Sequence, residues 1–340
     1  MKAHVKAIAY HLPQTRLTTE DLSAHFPEWS VDKIREKTGI DVRFVAGDQE
    51  CASDLGVAAA QKLFASTACG PEEVDFLIFC TQSPDHALPA TACTVQERLD
   101  IPRTAGAMDM GLGCSGYVYG LGAAKGLIET GQARNVLLLT AETYSKYMHP
   151  EDKRVQTIFS DGASATMISG LNEDEVPGAL RDPIGPFVYG TDGRGAANLI
   201  VRRNGLRQDG PPSTSRNGQQ EPPDGCLFMN GPEIFKFTLR EIPRTVNELL
   251  GKARIAFADV DLFVFHQANI YILERLRQAI QIPEDKFYLC LSHVGNTVSS
   301  TIPIALASAR AEGRLTAGST VMLVGFGVGY SWGACLLRMP

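Results

Sequence analysis

One cysteine of this 340-residue chain lies where it could act as a nucleophile. Cys114 is in the glycine-rich stretch GLGCSG (111–116), immediately before the predicted helix SGYVYGLGAAKGLIE (115–129). Free N–H groups and the positive dipole end of a helix favour a thiolate, so we expect a lowered pKa for the Cys114 thiol. The alternative is a buried structural cysteine, which is the state we expect for the other seven.

The same stretch fits the G-x-G-x-x-G pattern of a dinucleotide-binding turn. That fingerprint normally follows the first strand of its domain, and an acidic residue follows about 20 residues later at the next strand end. Here the turn begins only at residue 111, and Glu142, the nearest acidic candidate, lies further along the chain than that spacing requires. The pattern therefore favours a turn that presents a nucleophile over one that binds a phosphate.

Two polar residues in the second half of the chain are candidate partners for this cysteine. His266 follows the apolar run DLFVF, at the kind of strand exit where ligands gather in open α/β sheets. Asn296 lies in SHVGNTVSSTIPIALASA (292–309), a second glycine turn that opens a helix. Taken singly, His266 could be a hydrogen-bonded core residue and Asn296 a helix cap.

An internal repeat indicates how the three residues could meet. EEVDFLIFCTQS (72–83) matches ADVDLFVFHQAN (258–269) in pattern, and LIETGQARNVLLLTAE (127–142) matches ARAEGRLTAGSTVMLVGFG (309–327). The offset is about half the chain, too long for a solenoid repeat. It predicts two copies of one α/β unit, residues 1–170 and 171–340, whose strand-exit turns converge on one centre.

Composition narrows the class of protein. The formal net charge is −6 and basic residues are scattered, which argues against nucleic-acid binding. We find no apolar run near the roughly 18 residues that cross a membrane, and none of the eight cysteines forms a C-x-x-C pair. We expect a cytoplasmic protein with free thiols and no metal site. The Gly- and Pro-rich segment 204–225 is predicted to be an exposed loop, either a plain insertion or a cover for the substrate.

Six motifs in order resemble the β-ketoacyl-acyl carrier protein synthase III family: GLGCSG, FSDGASATMIS (159–169), MNGPEIFKF (229–237), HQAN, GNT and GFGVGYSWGACLLR (325–338). The resemblance covers nearly the whole chain. It implies an α/β, thiolase-like fold in which two similar halves form a five-layer αβαβα arrangement, usually in a homodimer. It also implies that the reaction requires no cofactor or metal.

The resemblance also assigns roles to residues. Cys114 is the implied acyl acceptor, with the backbone N–H groups of Cys114 and Val328 as its oxyanion hole, whereas His266 and Asn296 hold the enolate formed from the second substrate. The implied reaction is a decarboxylative Claisen condensation of acyl and malonyl thioesters of acyl carrier protein or coenzyme A. Two alternatives remain: transfer of the acyl group to an oxygen, nitrogen or non-malonyl carbon nucleophile, and a non-catalytic partner subunit.

Substrate-binding positions depart from the family pattern. Lys33 and Lys153 occupy the positions where well-known relatives clamp the adenine of coenzyme A with a Trp and an Arg. Lysine can meet a phosphate as a point charge but does not provide a flat stacking surface. Trp29 lies nearby in the sequence and is a candidate for a displaced stack.

Two further departures concern the acyl pocket and carrier docking. Leu88 replaces a Phe that limits the acyl pocket across the dimer interface in the common fatty-acid enzyme, so a longer or bulkier acyl chain is one expectation and a plain interface leucine is the other. Tyr271 replaces the first basic residue of the carrier-docking helix. Arg275 and Arg277, on the following turn, are the candidates that could meet an acidic carrier protein.

Overall fold

The computed structural model describes residues 1–67, 69–172, 182–207 and 222–339, so most of the segment predicted to be a loop (204–225) lies outside the described residues. The strands are β1 (Lys2–His11), β2 (Thr15–Thr18), β3 (Val42–Val45), β4 (Phe76–Cys80), β5 (Gly106–Met110), β6 (Asn135–Glu142), β7 (Gly162–Leu171), β8 (Ile184–Thr191), β9 (Leu199–Val201), β10 (Leu227–Met229), β11 (Leu262–Phe265), β12 (Thr320–Gly327) and β13 (Ser331–Arg338).

The α-helices are α1 (Thr19–His25), α2 (Val31–Thr38), α3 (Ala52–Ser66), α4 (Thr91–Arg98), α5 (Gly116–Glu129), α6 (Lys153–Gln156), α7 (Gly231–Ala253), α8 (Ile270–Ile280), α9 (Leu291–Val294) and α10 (Thr301–Ala311). Short 3-10 helices cover Pro71–Glu73, Tyr144–Tyr147, Gly193–Asn198, Phe257–Asp259, Glu284–Lys286 and Val298–Ser300. Across the described ranges, no helix is both long and apolar enough to cross a membrane.

Two main sheets contain the predicted repeat. The first has the order β1-β7-β6-β4-β5 and the second the order β11-β12-β13-β8. The strands predicted from the matching segments pair alike, because β4 runs parallel to β6 and β11 runs parallel to β12. The division of the chain at residues 170 and 171 itself stays a prediction.

The two sheets and their helices form five layers. Helices α5 and α10 lie between the sheets, since α5 contacts β4 and β6 on one side and β12 and β13 on the other. Helices α3 and α4 cover the outer face of the first sheet, and α7 covers that of the second with α8 packed beside it. The predicted thiolase-like arrangement is therefore the one observed.

The apolar runs of the central strands follow from this layering. In β6, Val136 and Leu138 pack into the core between the sheets, whereas Leu137 and Leu139 pack against the outer helices. Alternate side chains of a strand point to opposite faces, so a sheet covered on both faces needs apolar residues at every position. Each fully buried leucine contributes roughly 1.5–3 kcal/mol to folding.

Candidate active site

The turn between β5 and α5 carries Cys114, and the end of β12 passes directly against it. A Cβ on Gly327 would lie 2.8 Å from both Cβ and Sγ of Cys114, and one on Gly325 would lie 2.8 Å from the Cys114 carbonyl oxygen. Only glycine at these two positions allows the approach. The second half of the chain therefore contributes one wall of the nucleophile's site.

Burial decides the protonation state of the nucleophile. Cys114 is only 5% exposed and packs with apolar side chains that include Phe159, Leu199 and Val298. Burial, followed by the nearby Glu142 carboxyl, raises the pKa of the Cys114 thiol to about 12, although the N–H groups of Cys114 and Val328 act in the opposite direction. The sequence-based expectation of a lowered pKa is therefore wrong, because burial destabilises the thiolate more than the two N–H donors stabilise it.

The two N–H groups that reach the sulfur belong to different halves of the chain. Val328 follows β12, and its carbonyl oxygen accepts a hydrogen bond from the Ser331 hydroxyl at 3.0 Å. The Ser331 hydroxyl in turn lies 2.6 Å from the hydroxyl of Ser115, the residue after the nucleophile. This pair of serines ties the loop that carries the Val328 N–H to the turn that carries Cys114.

His266 is held as a neutral ring at the end of β11. Its backbone N–H donates to the Val324 carbonyl at 2.8 Å, and its Nδ1 lies 2.7 Å from the Thr301 hydroxyl. Burial lowers the pKa of His266 to about 3, so the imidazole carries no charge at neutral pH. The ring packs edge-on against Phe326, the residue before the glycine that touches the nucleophile.

The Asn296 side chain caps its turn and still has one amide N–H group available as a donor. Its Oδ1 accepts the Val298 N–H at 3.0 Å, and its Nδ2 donates to the Ala268 carbonyl at 3.2 Å. An amide has two N–H groups, and the second makes no hydrogen bond within the part of the chain described. Val298 itself adopts φ 55°, a left-handed conformation that is strained for a β-branched residue.

Two segments bring the three predicted residues together. The segment 296–301 contains Asn296, packs Val298 against Cys114 and binds His266 through Thr301. The end of β12 contacts His266 through Phe326 and Cys114 through Gly327. The convergence expected from the repeat is thus observed in the contacts.

A buried carboxyl near the nucleophile was not recognised in the sequence as part of this site. Glu142 is the last residue of β6 and is fully buried. Its carboxyl accepts hydrogen bonds from Ser299 Oγ at 2.7 Å, Gln82 N at 3.0 Å and Ser83 Oγ at 3.2 Å. Burial raises the pKa of Glu142 to about 8. The available signal was an acidic residue that ends a wholly apolar strand, but it was considered only as a nucleotide ligand.

The three residues predicted for coenzyme A binding do lie together. The ammonium groups of Lys33 and Lys153 are 5.5 and 5.6 Å from the centre of the Trp29 ring. A third ammonium group, that of Lys37, is not among the predicted residues and lies 4.9 Å from the same ring. Lys153 also forms an ion pair with Glu28 at 2.5 Å. The indole is therefore already surrounded by cations.

The remaining predicted contacts are at the surface. Leu88 is 81% exposed, and its role in an acyl pocket or at an interface stays a prediction. On α8, Arg277 pairs with Glu274 at 2.9 Å and its side chain is 19% exposed, whereas Arg275 lies over the ring of Tyr271. Arg275 is thus the more accessible of the two cations proposed for carrier docking. No cluster of three or more His, Cys, Asp or Glu side chains in the described ranges could hold a metal ion.

Comparison with known proteins identifies the family. The models of the N-terminal and C-terminal regions of 3-oxoacyl-[acyl-carrier-protein] synthase III match residues 108–193 and 250–339. A β-ketoacyl-[acyl-carrier-protein] synthase III of Clostridium perfringens is 35% identical over 99% of both chains. The chain belongs to the β-ketoacyl-[acyl-carrier-protein] synthase III family.

Solved structures agree with this assignment. A crystal structure of a 3-oxoacyl-(acyl-carrier-protein) synthase III is 50% identical and covers 100% of both chains with a TM-score of 0.94. The priming β-ketosynthase from the R1128 polyketide biosynthetic pathway is 25% identical, with a TM-score of 0.85 over 100% of this chain and 96% of its own. This synthase III is a condensing acyltransferase with the thiolase-like fold.

Proposed function

We propose that Cys114 accepts the acyl group of a thioester while the N–H groups of Cys114 and Val328 hold the developing oxyanion. One observation carries this proposal: the backbone at Gly327, the residue before Val328, packs against Cβ and Sγ of Cys114, which brings both N–H groups beside the sulfur that the carbonyl carbon would bond. In the step, a bond forms between Sγ and the acyl carbon, and the bond from that carbon to the carrier sulfur breaks. The Cys114 thiol proton leaves with the carrier thiolate.

His266 and Asn296 act in the second step under this proposal. Decarboxylation of a malonyl thioester leaves an enolate, whose oxygen is held by the free Asn296 N–H and by His266 Nε2–H. A neutral imidazole carries a proton at Nε2 only when Nδ1 accepts. The Thr301 hydroxyl donates to the Val298 carbonyl at 3.1 Å in this structure, so in the proposed step it must turn its proton towards Nδ1. The enolate carbon then bonds to the acyl carbon as the bond from that carbon to Sγ breaks, and the Cys114 thiolate takes up a proton from the solvent.

The substrates follow from the family and from the surface of the chain. We propose acyl and malonyl thioesters of acyl carrier protein or coenzyme A, with Trp29, Lys33 and Lys153 near the entrance and Arg275 and Arg277 towards the carrier. A homodimer in which the exposed Leu88 inserts into the partner subunit is part of the same proposal.

Two half-reactions test the proposal separately. Intact mass after exposure to acyl thioesters reports loading, and carbon dioxide release from a malonyl thioester reports the second step. Cys114→Ala should lose the acyl adduct entirely, whereas His266→Ala or Asn296→Ala should slow condensation about a hundredfold or more and loading much less. An adduct that maps to another cysteine, or acyl transfer without carbon dioxide release, would overturn the assignment.

A further inference from the structure

The side chains around the nucleophile include one polar pair. Tyr144 is 4% exposed and belongs to the same packed cluster as Cys114 and Phe159. Its hydroxyl donates to Gln82 Oε1 at 2.6 Å. Burial first, and then neighbours that include Glu142 and Cys114, raise the pKa of Tyr144, so this phenol stays protonated as a donor.

The Gln82 carboxamide is fixed beside the nucleophile's turn. A Cβ on Gly113, the residue before Cys114, would clash with Gln82 Oε1 and lie 3.0 Å from Gln82 Cδ. The Gln82 backbone is anchored on both sides, because its N–H donates to Glu142 at 3.0 Å and its carbonyl accepts from the Tyr147 hydroxyl at 3.3 Å. The position of the amide is therefore set by the protein before any substrate arrives.

One donor of this amide is unused. Tyr144 occupies Oε1, whereas Nε2 makes no hydrogen bond to any residue in the described ranges. When a hydrocarbon chain covers a fixed donor, the donor loses its hydrogen bond to water and gains no other. An acceptor on the substrate replaces that lost hydrogen bond. A donor of this kind beside the acyl chain would discriminate between acyl groups of equal length.

We propose that the acyl group taken up by Cys114 carries an oxygen beyond its thioester carbonyl, a keto or hydroxyl group that accepts the Nε2–H of Gln82. This inference rests on the proposed loading of Cys114 and names the class of its acyl substrate. The expected preference is about two- to tenfold over the matching hydrocarbon, the size of one neutral hydrogen bond.

Matched acyl thioesters of coenzyme A test the preference. The measured quantity is kcat/KM for loading of Cys114, compared within two sets: butyryl with 3-oxobutyryl and 3-hydroxybutyryl, and pentanoyl with 4-oxopentanoyl. We expect an oxygenated member to load at least about twofold faster than the hydrocarbon of its set. In Gln82→Met, which keeps the chain length and removes the donor, the ratio should fall to about one.

Two tyrosine variants sharpen the result. Tyr144→Phe removes the group that fixes the amide and should reduce the preference, whereas Tyr119→Phe, which loses a hydroxyl bonded to the Gly190 carbonyl at 3.3 Å, should keep it. Hydrocarbons that load as fast as their oxygenated partners, or a preference that survives Gln82→Met, would overturn this inference alone. Failure of every acyl group to label Cys114 would overturn the proposed function as well.

Discussion

The hydroxyls of Ser115 and Ser331 are 2.6 Å apart, although 216 residues separate them in the sequence. Since Ser331 also donates to the Val328 carbonyl, its hydroxyl must accept from Ser115. This short chain of hydrogen bonds fixes the distance between the two N–H groups of the proposed oxyanion hole. An oxyanion hole acts through preorganised donors, so the serines should matter for rate more than for binding.

Ser331→Ala should lower kcat for both loading and condensation about five- to thirtyfold while KM changes less than twofold, because both tetrahedral intermediates use the same donors. Ser115→Ala should have a similar effect, and the double variant should be little worse than either single one. Ser169→Ala, which removes a buried hydroxyl without a hydrogen-bond partner in the described ranges, is the matched control. A rise in KM at constant kcat would argue against a positioning role.

Thr301→Val should slow condensation about tenfold and leave loading within about threefold of wild type. The valine cannot donate to Nδ1 of His266, so the ring loses the partner that would place the proton on Nε2 in the proposed step. Thr301→Ser should restore the rate. The control is Thr245→Val, which replaces another buried threonine whose hydroxyl bonds a helix carbonyl. Equal losses in both half-reactions would instead make His266 the base that activates the thiol.

Glu142 should make the protein less stable as the pH rises. Its folded pKa of about 8 lies above the ordinary 4.5, so between these values the folded state keeps a proton that the unfolded state has released. The free energy of unfolding therefore falls with increasing pH, by up to about 1.4 kcal/mol per unit. His266, whose pKa burial lowers to about 3, contributes the opposite slope below about pH 6.5, so the test is a difference between variants. Urea unfolding at pH 5, 6, 7 and 8 should show that the stability of Glu142→Gln relative to wild type rises with pH, whereas that of Glu248→Gln, an exposed control, does not.

Alkylation should show that the resting thiol is protonated. With a pKa of about 12, Cys114 should react with iodoacetamide about tenfold faster for each pH unit up to pH 10, without levelling off. Cys93 is exposed, so the expectation of seven further buried cysteines is wrong for it. It should be labelled sooner, and a Cys93→Ser background therefore gives a cleaner signal. Glu142→Gln removes the second cause of the raised pKa and should speed the labelling of Cys114. A plateau below pH 8 would show that the thiolate is stabilised at rest.

The adenine end of coenzyme A should contribute little to loading. A flat stack on Trp29 competes with the lysine cations around its ring, each of which contributes roughly 0.5–2 kcal/mol when placed over an aromatic face. One acyl group on coenzyme A, pantetheine and acyl carrier protein should therefore load at rates within about a hundredfold of one another. A larger advantage for coenzyme A that disappears in Trp29→Ala would show that the indole is the adenine platform.

The local elements could be predicted because their signals are local. The sequence contains apolar runs at the strands β4, β6, β11 and β12, and a repeat relates them. Such runs depend on which faces of a strand are covered, and the covering helices come from neighbouring sequence. The turns that contain Cys114, His266 and Asn296 follow from glycine or from strand ends. The family resemblance added the arrangement of these turns around one centre.

The chemistry at that centre was decided by the tertiary structure. The pKa of Cys114 depends on how completely the second half of the chain excludes water from the thiol, and the helix terminus by itself predicts the wrong direction. Hydrogen bonds between Thr301 and His266 and between Ser115 and Ser331 join residues far apart in sequence. The sequence by itself therefore determined which residues could react, and the packing of one half against the other determined their protonation and the donors around them.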